Sequence, residues 1–325
     1  MSDLKKEVLP LKMSELMNKE FPPLEWLVEG LIPIGDITII SGYPGCYKTW
    51  IMLDIAISSA RGIDFLGKFK TKKEKILIID EESYERGLQK RLRSLTDKKD
   101  LDIEILSFSG FNIQKTDQVI KYCLEKEIGV VMIDSLIRVH SLKDENSSIE
   151  AAKLFTEFKK FKQNGITLLI IHHNRKSGIN KFSSAEDMRG SSEIFAAADC
   201  ALSLKKIKKD EILFTQTKSR SSEEVSAFLV KKVDNELGLK FEFIRDINNE
   251  EERKTKPEAA QNAILDILLE CDEVSRKELF SALGGFSNYS KKLAIRELVT
   301  SGTVKSRRDS DGGVFFSALK REELN

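Results

Sequence analysis

The chain has 325 residues, enough for about two domains at ~150 residues each. Hydrophobic residues make up 41% and charged residues 32%, so a core can form and wholesale disorder is excluded as an expectation. The 53 basic and 52 acidic residues leave a formal net charge of +1, so nothing draws the whole molecule toward nucleic acid or membrane. Any such contact must be a local patch. Cys46, Cys123, Cys200 and Cys271 are widely spaced, which excludes a paired-cysteine zinc site and argues against a disulfide framework. A reducing, cytoplasmic setting is expected. The N-terminal stretch lacks the apolar segment of a signal peptide. Apolar runs such as Leu168–Ile171 fall far short of the ~20 residues that span a bilayer, so no membrane partner is expected.

In chain order, Ile37–Ile40, Ile76–Ile79, Val130–Ile133 and Ile166–Ile171 are mostly apolar runs of strand length. Near-continuous apolar strands indicate burial on both faces, as in a parallel sheet. Helix-like stretches alternate with them: Trp50–Ala60, Tyr84–Leu95, Gln118–Glu127 and Ile149–Asn164. This order predicts a doubly wound α/β domain. Closely spaced strand-like pieces follow at Asp199–Leu204, Glu211–Gln216, Ser226–Lys232 and Leu239–Phe243, consistent with hairpins that complete the sheet. The run Asn248–Pro257 has no large apolar residue and reads as a linker. The predicted boundaries are 1–247 for the α/β domain with a short lead-in, 248–256 for the linker and 257–325 for a second domain. In that last part, helical spacing around Ala263–Leu268, Arg276–Leu283 and Ser290–Ser301 precedes strand-like Thr303–Lys305 and Val314–Ser317, joined by Asp309–Gly313. Three helices and a β-hairpin is the order of a winged helix-turn-helix.

The most specific motif is Gly42-Tyr43-Pro44-Gly45-Cys46-Tyr47-Lys48-Thr49. It matches the phosphate-binding pattern G-x-x-x-x-G-K-[ST] except that Tyr47 stands at the second glycine. Such a loop turns backbone N–H groups toward a polyphosphate. Lys48 would face the β- and γ-phosphates, and the Thr49 hydroxyl would meet Mg²⁺. Tyr47 is expected to start the helix with right-handed dihedrals, its ring turned away from the nucleotide, beside the adenine or toward a neighbouring subunit. The ligands read from the loop are therefore ATP and Mg²⁺.

Polar residues follow the buried strands, where ligands sit in such sheets. Asp134 is placed to hold Mg²⁺ with Thr49. Glu81 or Glu82 is placed to polarise an attacking water. His172 and His173 point to opposite sides if the strand continues, so they do not share a metal. His173 is read either as a γ-phosphate contact or as a structural imidazole. Lys218 and Arg220, two residues apart, would share one face; they suit a neighbouring subunit's phosphate, or simply solvent. In the tail, Lys291, Lys292 and Arg296 on the third helix and Lys305, Arg307 and Arg308 by the hairpin cluster, although with ten basic and eleven acidic residues it is not basic overall. In a winged helix these positions contact DNA groove and phosphates; a protein-binding winged helix is the alternative.

Taken together, Pro22 to about Val233 resembles the RecA-type P-loop ATPases of the RepA hexameric helicase group, related to the DnaB-like replicative helicases. The resemblance rests on Trp26–Gly35 before the loop, Ile79-Asp-Glu-Glu-Ser83 running on to Arg91-Leu92, Ile133-Asp134-Ser135, Ile171–Lys176, Arg189–Ser192 with Ala196–Asp199, and Lys218-Ser-Arg220. It implies Glu82 as the catalytic base, because that motif sets a glutamate nine residues before an arginine. It implies Asp134 as the magnesium aspartate, His173 as the sensor, and Lys218 and Arg220 as trans-acting groups. It also implies a homo-hexamer with ATP between neighbours and single-stranded DNA in a central channel. Arg175, Lys176 and Lys181, between Asn174 and Met188, would line that pore or a surface loop. The function expected is an ATP-hydrolysing DNA motor, a helicase or translocase in DNA replication. An ATP-switched DNA-binding regulator and a RecA/RadA-type recombination or repair ATPase are the alternatives.

Overall fold

A computed structural model describes residues 10–139, 148–173, 192–247 and 260–318, apart from 269, 270, 272, 284, 285 and 311. The expected linker 248–256, the basic residues Arg175, Lys176 and Lys181, and Arg189–Ser191 lie outside the described residues.

A short helix α1 (Met13–Met17) and a two-stranded antiparallel sheet, β1 (Trp26–Val28) with β2 (Ile32–Pro33), precede the main sheet. That sheet contains β3 (Ile37–Gly42), β4 (Ile76–Asp80), β5 (Ile103–Ser107), β6 (Val130–Asp134), β7 (Thr167–His173), β8 (Cys200–Lys208), β9 (Glu211–Ser219), β10 (Phe228–Asp234) and β11 (Leu239–Asp246). Its order is β11-β10-β9-β8-β3-β7-β6-β4-β5. β8, β3, β7, β6, β4 and β5 pair in parallel, and β9, β10 and β11 extend the sheet antiparallel from β8.

The apolar runs are explained by burial on both faces. Ile76, Ile78, Val130, Met132, Leu169 and Ile171 pack into one core with α2 (Lys48–Arg61). Leu77, Ile79, Val131, Ile133, Leu168 and Ile170 pack into the other with α4 (Thr116–Lys126) and α5 (Ser148–Gln163). Successive residues of a strand point to opposite faces, so both halves of each run must be apolar. α3 (Glu85–Leu95) is different. Only Leu88 is buried on it, with Leu92 and Leu95 partly covered against the first core, so it lies at the surface. The α/β domain is thus as expected, with β5 and the β1–β2 hairpin added.

Beyond the sheet, α6 (Ser192–Ala197) precedes β8. A helix over 260–268, here α7, is followed by β12 (Val274–Ser275), α8 (Arg276–Ala282), α9 (Asn288–Thr300), β13 (Val304–Arg308) and β14 (Val314–Ala318). The three strands form a sheet in the order β12-β14-β13. Ala263, Ile264, Leu268, Leu279, Ala294, Leu298 and Phe316 give this part its own apolar core. Ser275 caps α8 in a reciprocal box with Glu278, and Ser287 caps α9. Within the described residues, no helix is long and apolar enough to cross a membrane.

Candidate active site

The strand order changes direction at β3, which lies between β7 and β8, and ligand crevices in such sheets open at the carboxyl ends of the strands beside that point. The loop 42–47 leaves the end of β3 there and feeds α2. Gly42 pairs with Leu204 across to β8, and a Cβ on Gly42 would stand 2.5 Å from the Leu204 carbonyl oxygen. Only glycine fits that approach. Gly45 takes φ +82, the left-handed region that glycine enters without strain. Cys46 is buried, while Pro44 and Gly45 are exposed at the tip and Tyr43 is half-buried against the α2-side core.

Tyr47 corrects one expectation. Its φ of 63 and ψ of 21 are left-handed, not helical. The glycine of the motif therefore reflects a real left-handed position, which tyrosine occupies here at a cost in strain. The ring packs edge-on against Phe241, 5.9 Å between centroids, with the Lys206 ammonium 5.3 Å from its centroid.

Lys48 folds back into the loop, its Nζ donating to the Gly42 and Tyr43 carbonyls at 2.7 and 2.9 Å. Burial pushes its pKa below the ordinary value, and the nearby Cys46, Asp134 and Glu82 oppose that shift. The Thr49 hydroxyl donates to Asp134 Oδ2 at 2.6 Å, although 85 residues separate the two. Asp134 Oδ1 is buried without a hydrogen-bond partner among the described residues. Burial pushes the Asp134 carboxyl up to about 7, with Asp80 and Glu82 adding to the rise and the Thr49 hydrogen bond and Arg91 opposing it. A buried, unpaired carboxylate oxygen beside a hydroxyl is a hard-oxygen donor set, and it fits Mg²⁺.

Glu82 and Glu81 separate by their partners. The Glu81 carboxylate accepts from the Ser109 hydroxyl at 2.6 Å and from the Gly110 and Phe111 N–H groups at 3.2 and 3.0 Å, so it closes a turn. Glu82 faces the site: the Ser135 hydroxyl donates to its Oε2 at 2.9 Å, and His173 Nε2 lies 3.4 Å from the same atom. The ligating atoms of Glu82, Asp134 and His173 all lie within 4.8 Å of one another. Burial, and next the Lys48 charge, push the His173 pKa below its ordinary value, with Glu82 opposing. The imidazole is therefore neutral at pH 7.

The sequence motifs contain Asp80 and Ser135 but assign neither of them a role. Asp80 Oδ1 accepts the Glu82 and Ser83 N–H groups at 2.9 and 2.7 Å, which shapes the turn that presents Glu82. β4 and β6 pair in register at Asp80 and Asp134, so the two carboxyl groups end adjacent strands. The signal was available: Asp80 ends its apolar run as Asp134 does. Arg91 Nη1 donates to Ser83 Oγ at 2.7 Å and so reaches the same turn.

Lys218 and Arg220 do share a face, but they turn to their own chain. Lys218 Nζ donates to the Phe195 and Ala196 carbonyls, both at 2.8 Å, and Arg220 Nη2 to the Ala196 carbonyl at 2.6 Å. Arg220 also pairs with Asp199 at 3.5 Å. The two cations cap the end of α6, where carbonyls lack partners. Burial, then the charge of Arg220, lowers the Lys218 pKa.

In the C-terminal part, Lys292, Arg296, Arg307 and Arg308 border one groove with Arg276, which the sequence reading passed over. Arg307 Nε donates to Glu273 Oε1 at 2.6 Å, and Lys305 lies beside a second groove. Lys291 corrects its expectation. It is 6% exposed, and its Nζ donates to the Phe280 carbonyl at 2.8 Å, because its position on α9 faces α8.

A family model described as "AAA domain" matches residues 4–178. Among solved structures, one ATPase domain is similar to this chain in fold, at a TM-score of 0.51 and 15% identity, covering 65% of this chain and 85% of that one. No curated protein sequence matches.

Proposed function

The chain belongs to the AAA domain family, whose model spans more than half of it, and on that premise we propose that it is an ATP-hydrolysing, RecA-like DNA motor of the RepA helicase type. The observation that carries this reading is the junction of Thr49, Asp134 and Glu82 beside the Lys48 loop. In this reading the loop 42–49 holds the ATP phosphates, and Lys48 leaves its carbonyl partners to stabilise charge on the transferring phosphoryl group. Thr49 and Asp134 would hold Mg²⁺. When bound, it neutralises charge on the phosphate oxygens. Glu82, oriented by Ser135, takes a proton from the attacking water. Neutral His173 beside Glu82 is suited to sense the phosphate. Lys218 and Arg220 would exchange their α6 carbonyls for the phosphates of a neighbouring subunit in a homo-hexamer.

We read residues 257–325 as a winged helix, a reading supported by the order of three helices and three strands and by its separate core. Arg276, Lys292, Arg296 and Arg308 would contact duplex DNA there. The same groove supports the second reading, a regulator that binds duplex through this domain and hydrolyses ATP slowly.

Steady-state ATP hydrolysis with and without single-stranded DNA tests the motor reading. Single strands should stimulate turnover. Glu82→Gln should lower kcat by roughly 10²–10⁴-fold while ATP still binds, and Lys48→Ala should abolish turnover with the fold intact. Full turnover in either variant overturns the site assignment. Slow hydrolysis indifferent to single strands transfers the conclusion to the regulator.

A further inference from the structure

Tyr84 and Phe108 stack on one another at the active-site edge of the sheet, with centroids 4.3 Å apart and an interplanar angle of 11°. Tyr84 is 75% exposed and Phe108 46%. Large rings held face to face in solvent need a reason, because burial usually stabilises aromatic side chains. Phe108 has a φ of 46, left-handed backbone that bulky residues avoid. The chain holds that conformation with a set of local bonds. The Phe108 N–H donates to the Asp80 carbonyl at 3.0 Å, and the Ser107 hydroxyl to the Ser83 carbonyl at 2.9 Å. Glu81 ties down the next three residues, 109–111. The platform is thus built on the turn 80–84 that also presents Glu82.

We propose that the Tyr84–Phe108 stack is a docking platform for a base of single-stranded nucleic acid. It rests on the DNA-motor reading above. Flat, outward ring faces match another flat π-system, and base stacking on aromatic side chains tolerates any sequence. Ser83, Glu85, Arg86, Ser107 and Ser109 flank the rings in sequence, and Glu85 and Ser107 also border a groove lined by Leu88, Leu92, Leu101, Ile103 and Ile105. α3, which begins at the platform, carries Arg86, Lys90, Arg91 and Arg93 against one acidic residue, Glu85. That balance suits a phosphate backbone running past the rings.

The full chain is titrated into fluorescein-labelled oligo-dT and into a matching abasic strand, which has the phosphates without the bases. The wild type should bind oligo-dT more tightly than the abasic strand. Tyr84→Ala should lose roughly 5- to 150-fold of its oligo-dT affinity and keep its abasic affinity. Tyr84→Phe should bind as the wild type does, and Tyr84→Leu as Tyr84→Ala. Unchanged oligo-dT binding in Tyr84→Ala overturns the platform, as does an equal loss on both strands. A fall confined to mant-ATP binding assigns the rings to the adenine instead, and a change confined to assembly by light scattering assigns them to a neighbouring subunit; both overturn the proposal. A wild type that binds neither strand fails the DNA-motor reading itself, which separates that failure from this one.

Discussion

Asp134 is where single-residue physics is sharpest. Its carboxyl is buried, has one oxygen without a partner among the described residues, and titrates at about 7 rather than near 4. A group whose folded pKa is raised contributes stability that is fully present below its unfolded pKa and is lost as pH rises through the folded one. Asp134 by itself should therefore take a few kcal/mol of stability from the metal-free protein between about pH 4 and pH 8. Asp134→Asn should reduce that slope, leaving the share of Asp54, which burial also pushes up to about 7, and raise Tm at pH 8, as read by thermal melts in EDTA across pH. A slope unchanged by the substitution would mean that Asp134 ionises normally in the folded chain. In the proposed site the same energetics favour a divalent cation, because displacing a proton from a strained carboxyl makes metal binding tighter as pH rises.

At the scale of elements, the junction of the loop with α2 opposes two costs. Left-handed Tyr47 carries about 1–2 kcal/mol of backbone strain. Against it stand the edge-on contact with Phe241 and the Lys206 cation over the ring, together about 1–2 kcal/mol beyond area burial. Tyr47→Gly should relieve the strain and lose the ring, for a net loss of about 1 kcal/mol. Tyr47→Ala loses the ring and keeps the strain, so it should be about 1 kcal/mol worse than glycine. Urea unfolding of the three proteins reads this order. Alanine more stable than glycine would mean that the position is right-handed after all, since alanine is the better helix former. Ring packing explains how the motif's glycine could be replaced: β11, more than 190 residues further on, supplies Phe241.

For the whole molecule, the near-zero net charge hides an uneven distribution. Lys292 and Arg296 border the C-terminal groove, while Lys291 is locked inward on Phe280. If the groove binds duplex DNA, Lys292→Ala and Arg296→Ala should each weaken binding and reduce the slope of log K against log salt by about 0.9. Lys291→Ala should instead lower stability by roughly 1–3 kcal/mol, because the Phe280 carbonyl is left unpaired, with the salt slope unchanged. A slope that responds to Lys291 alone would reverse the assignment of the helix face.

Local sequence determined the α/β domain, because a strand buried on both faces must be apolar at consecutive positions, and Ile76–Ile79 or Val130–Ile133 can do little else. It also determined the loop, since Gly42, Lys48 and Thr49 sit at the spacing that a phosphate turn requires. β5 was missed because Glu104, exposed at the sheet edge, interrupts the apolar run Ile103–Leu106. What only tertiary structure decided are the matters of direction and partnership. Glu81 and Glu82 are neighbours in sequence, yet one closes a turn on Ser109 and the other meets Ser135 and His173. Lys291 and Lys292 are neighbours too, one buried and one lining a groove. Adjacent residues of one type carry the same intrinsic chemistry, and only the elements packed around them set which side chain is desolvated, paired or left to act.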